Sequence, residues 1–338
     1  MSTNLNIENT TIQCHPPSDQ LFSLVAIYIV QGVYGFLSIA VYCLNIRALY
    51  RQRNYHDKTF RLLYTYCAAF SITYFLDHYL IRRFVKLGFF CEEILYLFSE
   101  PNYILNPYKK LASYCPLAIL VFHTFIAVHR FSIVFRPTKA LQLYEMNLLN
   151  GIVIIGVSIP LIFMWFMVPT RSYAKLDKES DGGLDIEYKK VFNISSSLFA
   201  CIAAVIFGMI TLICTILMIL YLLKSNVRKL RLNEIRMIIF EIFMAIFTFI
   251  YAFVQGFLYY SIHMVKDLAL KAVIIQFRTF AIDIFILPQA WTLLILSPMI
   301  RSYTFKFMSN KSSSLHHPSN IENSHSGKST ISRPTTVV

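Results

Sequence analysis

The sequence predicts an all-α membrane protein, a bundle of seven transmembrane helices with its amino terminus outside and its carboxyl terminus in the cytoplasm. Three observations lead there. The 338 residues are 56% hydrophobic and only 14% charged, with a mean hydropathy of +0.55, whereas a soluble domain carries about 25% charged residues. The apolar residues fall into runs long enough to cross a bilayer. The basic residues sit in short clusters between those runs, unequally on the two sides. The 29 Phe and 21 Tyr beside only 10 Gly exclude a disordered chain. With so little charge, too little polar surface remains to wrap a soluble two-domain enzyme. The net charge of +13 forms no extended basic face, which argues against a nucleic-acid partner.

A helix crosses about 30 Å of hydrocarbon with about 20 residues at 1.5 Å each. Residues 1–20 are polar and lack the basic and apolar regions of a cleaved signal peptide, so they read as an extracellular segment ahead of a first helix that acts as its own signal. Leu21–Ile46, 26 residues without a charge, is the first span, followed at once by Arg47, Arg51 and Arg53. Leu62–Ile81 is the second, with Asp77 and His78 near its end. Leu87–Tyr96 is apolar but too short to cross and is interrupted by Glu92 and Glu93; it reads as extracellular or interfacial, with Pro101 and Pro107 breaking it from the next helix. Leu111–Val128 is the third span, ending at His129-Arg130, and Asn147–Val168 the fourth, closed by Pro169. Val191–Leu223 runs 33 residues without a charge and holds the fifth span at about 197–223. Met237–Ile262 is the sixth, with Glu241 one turn in, and Ala272–Ile300 the seventh, containing Arg278, Asp283 and Pro288. The bundle therefore covers 21–306, and 307–338, polar and rich in Ser and Thr, reads as a disordered cytoplasmic tail.

Orientation follows from Lys and Arg in the short loops. With the amino terminus outside, 18 basic residues fall on the cytoplasmic side and 12 on the outer side, where 11 acidic residues accompany them against four inside. No Lys or Arg precedes the first span and five follow it. Asn9-Thr10-Thr11 is a glycosylation sequon on the predicted outer side. Of seven cysteines, Cys43, Cys67, Cys115, Cys201 and Cys214 fall within spans and read as small apolar residues. Cys14 and Cys91 lie in the oxidising compartment, where a bridge between the tail and the first outer loop and two separate thiols are both open.

Ionisable groups at bilayer depth face the bundle interior or a water-filled cavity. Counting from the helix ends places Asp77 and Arg278 at comparable depth on different helices, with Asp283 below. This cluster reads either as the floor of a ligand pocket or as a clamp between helices. His123, midway along the third span, reads as a core histidine or a pocket group, and Gln255 on the sixth joins the pocket candidates. No zinc-protease, paired-cysteine, phosphate-loop or nucleophile-elbow motif occurs, and His316-His317 in the tail is poor geometry for a metal. The chain is therefore expected to be neither an enzyme nor a holder of metal or cofactor.

Several stretches carry a resemblance: Cys115-Pro116-Leu117, Val128-His129-Arg130-Phe131, Phe135-Arg136-Pro137, Asn233-Glu234 and the closing Leu294-Ile295-Leu296-Ser297-Pro298-Met299-Ile300-Arg301. With seven spans and a basic third inner loop, the chain resembles G-protein-coupled receptors, and within them the nematode serpentine chemoreceptors of the Srg superfamily, class gamma first, over about 21–306. The resemblance implies chemosensory signalling at the plasma membrane of a sensory neuron, at its cilium, with an extracellular small molecule or peptide as ligand and a heterotrimeric G protein as partner. It assigns coupling to Arg130, His129 and Arg136. Arg130 on a helix end offers five donors to a partner, or else anchors at the headgroups. The chain departs from rhodopsin-like receptors: His129 stands where an acid precedes the arginine, and the sixth span has neither Pro nor Trp. The second outer loop, Thr170–Asn193, has no cysteine to bridge to the third span. Two other functions remain: an inverted seven-helix ligand-gated cation channel, which needs the amino terminus inside, and a transporter, which would show two related halves. The last residues, Thr336-Val337-Val338, fit the carboxyl-terminal pattern of PDZ ligands.

Overall fold

A backbone crossing hydrocarbon finds no water, so it closes its hydrogen bonds within a helix, and each long apolar run should be helical throughout. The computed structural model describes residues 18–51, 57–83, 85, 87, 90–135, 146–176, 184–189, 191–192, 194–224, 232–261 and 268–305. Its helices are α1 Ser18–Arg51, α2 Lys58–Leu76, α3 Cys91–Phe98, α4 Asn106–Phe135, α5 Met146–Phe163, α6 Ser196–Lys224, α7 Leu232–Tyr260, α8 Leu268–Ile286 and α9 Pro288–Leu296. Five stretches are long and apolar enough to cross a membrane: Val25–Arg51, Asn106–Phe135, Ser196–Lys224, Ile235–Tyr260 and Phe277–Leu296. The second and fourth expected spans correspond to α2, whose Tyr, Thr and Ser lower its hydropathy, and to α5, whose apolar part is the shorter Leu149–Phe163.

Helix α4 is the axis of the bundle. In its most apolar window 67% of residues are buried, against 33–50% in the other four stretches, because it packs against α2, α5 and α6 at once. Helix α7 lies between α6 and α8, and α1 closes the bundle against α2 and α9. Lipid gives no hydrophobic drive for helix association, so small residues that permit close approach matter more. On α1, a Cβ added at Gly35 would run into the Phe75 ring and one at Gly32 into Tyr79. Those two glycines let α1 lie directly on the second span.

Two features differ from the sequence reading. The second span does not end at Ile81. It continues past α2 as a π-helical stretch, Asp77–Arg83, so Arg83, which an end at Ile81 would leave in the outer loop, is 3% exposed within the bundle. The fold is also not purely helical. Between α5 and α6 lies an antiparallel hairpin, β1 Arg171–Leu176 and β2 Leu184–Lys189, with Arg171 opposite Lys189. It forms because one side of it finds a small core: Ala174 and Leu184 pack with Val85 and Cys91, against Ile94, Leu95 and Phe98 of α3. Asn102 pairs with Ser172 through the backbone, Asn106 Nδ2 donates to Thr170 O at 2.6 Å, and Lys109 Nζ donates to Ile186 O at 2.9 Å. Hairpin and α3 thus cap one end of α4.

Candidate functional site

Phe285 of α8 organises the middle of the bundle. Its ring is stacked on Tyr251 of α7, centroids 4.9 Å apart, and lies edge-on to His123 of α4 at 6.0 Å. Arg278, two turns before Phe285, and Gln255, one turn after Tyr251, both lie within interaction range of Tyr251. His123 and Gln255 are 4% and 0% exposed; His123 has Gln289 and Gln255 has Tyr251 within interaction range, but none of their side-chain polar atoms makes a hydrogen bond of good geometry among the described residues. A poorly paired buried polar atom is costly, and α4 and α7 here bring two such side chains to a common region, with the half-buried Arg278 of α8 beside them. Asp77, buried on the π-helical stretch, lies near Cys115, two turns along α4 from His123. Of the sequence candidates, His123, Gln255 and Arg278 therefore converge around Tyr251 and Phe285.

Asp283 does not share their direction. Sequence counting placed it below Arg278, but its partners are Arg83, whose Nη2 donates to Oδ2 at 3.2 Å, and Tyr34 of α1, whose hydroxyl donates to the same oxygen. The guanidinium of Arg83 lies between the rings of Tyr28 and Tyr79, at 5.6 and 5.2 Å. The divergence has a local cause: α8 shows one face to α7 and the other to α1, and Asp283 is the fifth residue after Arg278.

Below this ion pair, α1 meets the break at Pro288. Proline has no N–H and breaks the helical ladder, and Ala290 N–H turns to Leu287 O, away from Ile286 O. A polar row on α1 supplies donors: Tyr42 Oη donates to Ile286 O at 2.6 Å, and Asn45 Nδ2 to Ala290 O at 2.8 Å and to Tyr64 Oη at 3.0 Å. Ser38 Oγ accepts from Trp291 Nε1 at 2.8 Å. Gln289 Oε1 accepts from Tyr42 and from Cys67 Sγ, at 3.2 and 3.3 Å. The sequence reading missed Tyr34, Ser38, Tyr42 and Asn45. Their spacing of four, four and three puts them on one helical face, the signal by which such a row can be found.

At the opposite end of α4, His129 and Arg130 occupy the end of the third expected span. His129 Nε2 lies 2.5 Å from Oδ2 of Asp57, the residue before α2. Burial works to raise the Asp57 carboxyl's pKa, but the His129 hydrogen bond and charge, with Arg130's charge, outweigh it and hold it below 3.8. Arg130 Cζ sits 4.3 Å from the centroid of the Phe60 ring on α2, and Glu241 of α7, 1% exposed, is within electrostatic range of Arg130.

A helical bundle with polar groups converging near its middle and an arginine near one end of α4, packed on a ring of α2, is one receptor architecture among several. The family model described as Srg family chemoreceptor matches residues 28–304. The chain belongs to the Srg chemoreceptor family. It is also 60% identical over 293 residues to serpentine receptor class gamma-69 of Caenorhabditis elegans, covering 87% of this chain and 85% of that one. Class gamma, put first by the resemblance, is the class of that relative.

For this Srg protein, three sequence candidates, Asn9, Cys14 and Arg136, lie outside the described residues, as do the tail and Thr336-Val337-Val338. Cys91 is buried and disulfide-bonded, while Cys43, Cys67, Cys115, Cys201 and Cys214 are free. Among the described residues no group of His, Cys, Asp or Glu has the arrangement of a metal site.

Proposed function

We propose that this Srg-family protein is a seven-span chemosensory receptor, amino terminus outside, that binds an extracellular small molecule or peptide and signals through a heterotrimeric G protein. The convergence of His123, Gln255 and Arg278 around Tyr251 and Phe285 carries the ligand reading, because polar groups with spare hydrogen-bonding capacity on three different helices are what an incoming polar ligand can pair with. Asp77 extends that pocket along α4. Asp283 serves as the clamp beside it, not as a contact. Ligand pairing on α4, α7 and α8 favours one arrangement of those helices and so shifts the population between two states of the bundle.

The seven-span count takes its two remaining crossings from α2 with its π-helical continuation and from α5, whose 18 residues reach roughly 27 Å. Coupling falls to Arg130, with His129 and Arg136 beside it in sequence. Cys91 pairs with Cys14, the remaining cysteine of the chain. The receptor's place is the plasma membrane of a sensory neuron.

The test has two arms. An amino-terminal epitope should be reached by antibody on intact cells, and access only after permeabilisation would favour the inverted channel topology. Arg130→Ala, at normal surface level, should weaken activation of a G protein tenfold or more, the effect of losing an interfacial charge that contributes about 2 kcal/mol. Wild-type signalling by that variant would remove Arg130 from coupling.

A further inference from the structure

The imidazole of His129 stands directly before Arg130 in sequence and supplies no negative charge to it. The carboxyl groups within electrostatic range of Arg130 come from other elements: Asp57, from the connection between α1 and α2, and Glu241, buried on α7. Asp57 does two things at once. Its Oδ2 lies 2.5 Å from His129 Nε2, which ties the end of α4 to the start of α2, and its charge acts on Arg130. The pair is sheltered, since the His129 side chain is 3% exposed and that of Asp57 29%. Phe60, three residues on and fully buried, lies under the guanidinium at 4.3 Å. Asp57 just before α2, Phe60 on α2 and Glu241 on α7 therefore all lie around one arginine. The same end of α4 packs through Phe131 and Val134 on Met218 and Leu222 of α6 and Ile238 of α7, so releasing it would disturb the surface between α4, α6 and α7.

We propose that Asp57 is the positioning residue of Arg130: through His129 and through its own charge it holds the arginine over Phe60, and this hold defines the resting state of the receptor. The inference rests on the reading that Arg130 engages the G protein, which happens when Arg130 leaves Phe60. A charge-assisted hydrogen bond in a sheltered site is stronger than a neutral one, so its loss shifts the resting population appreciably.

Two readouts on purified full-length receptor in lipid nanodiscs separate this role from a plain staple. The first needs no G protein: the rate at which phenylglyoxal modifies Arg130, read by mass spectrometry. The second is ligand-independent nucleotide exchange on a panel of purified heterotrimers, per folded receptor. Asp57→Asn, which keeps the shape and removes the charge, should raise both by about tenfold. The reciprocal variant Asp57→His with His129→Asp, which restores an acid–imidazole pair, should bring both back toward wild type. An unchanged Arg130 modification rate in Asp57→Asn overturns the inference. So does failure of the reciprocal variant to reverse the change while it remains folded. If Arg130 becomes reactive yet exchange stays at the wild-type level with every heterotrimer, the positioning role stands and the coupling role of Arg130 fails.

Discussion

Burying Asp283 and Arg83 strips each of its hydration, and the cost is offset because Tyr34 donates to the carboxylate while Tyr28 and Tyr79 face the guanidinium. Removing one partner leaves the other charged and buried, a loss of about 3–5 kcal/mol in comparable pairs. Arg83→Ala should therefore lower the melting temperature of detergent-purified protein sharply. Tyr34→Phe removes one hydrogen bond to the charged group and should cost about 1.5–3 kcal/mol. A neutral effect of Arg83→Ala would mean that the pair is dispensable. At the other end of α4 the sign of the pH effect differs from a histidine switch. The Asp57 carboxyl is held below its ordinary value, so its contribution is complete at pH 7 and fades only as pH falls through that lowered value. Its charge is constant between about pH 5 and 8, and Asp57→Asn, not mild acid, is the way to remove it.

Among the elements, the seventh expected span is the one whose structure the sequence foretold least completely. Pro288 divides it into α8 and α9, with Leu287 between them, and the polar row of α1 bridges both sides of the division. Tyr42→Phe removes the donor to Ile286 O and to Gln289 together and should destabilise by about 1–3 kcal/mol, because two buried acceptors lose a partner. The same substitution on a lipid-facing tyrosine would cost little, so thermal unfolding of the variant measures the bridge. Helix α1 also depends on its glycines. Gly35→Leu should block its approach to Phe75 and reduce the folded fraction at the cell surface, whereas Gly151→Leu, with nothing within 4 Å of an added Cβ, should be tolerated. Equal loss in both variants would point to a general burden on insertion and away from contact between α1 and α2.

For the whole molecule, the cap formed by α3 and the hairpin depends on Cys91, which is buried, disulfide-bonded and part of the cap's small core. If Cys14 is its partner, Cys14→Ser should expose a new thiol on intact cells to an impermeant maleimide, and wild type should show none there. Unlabelled Cys14→Ser at normal surface level would assign Cys91 a different partner. The membrane class and the existence and order of the long helices were legible in the sequence, because each depends on local facts: run length, the absence of charge and the residues that end a run. The π-helical continuation of the second span, the hairpin and the partners of the buried charges were not. Arg83 and Asp283 are 200 residues apart, and His129 and Asp57 are 72 apart; depth counting gives each side chain a height in the bilayer but no rotation about its helix. Packing fixed that rotation, turning Asp283 toward α1 and leaving His123, Gln255 and Arg278 grouped around Tyr251 and Phe285. Sequence determined what this chain is made of and where it resides, since hydropathy is a sum over neighbours along the chain. Tertiary structure alone decided which charges meet, since a contact is set by the angle at which one helix faces another.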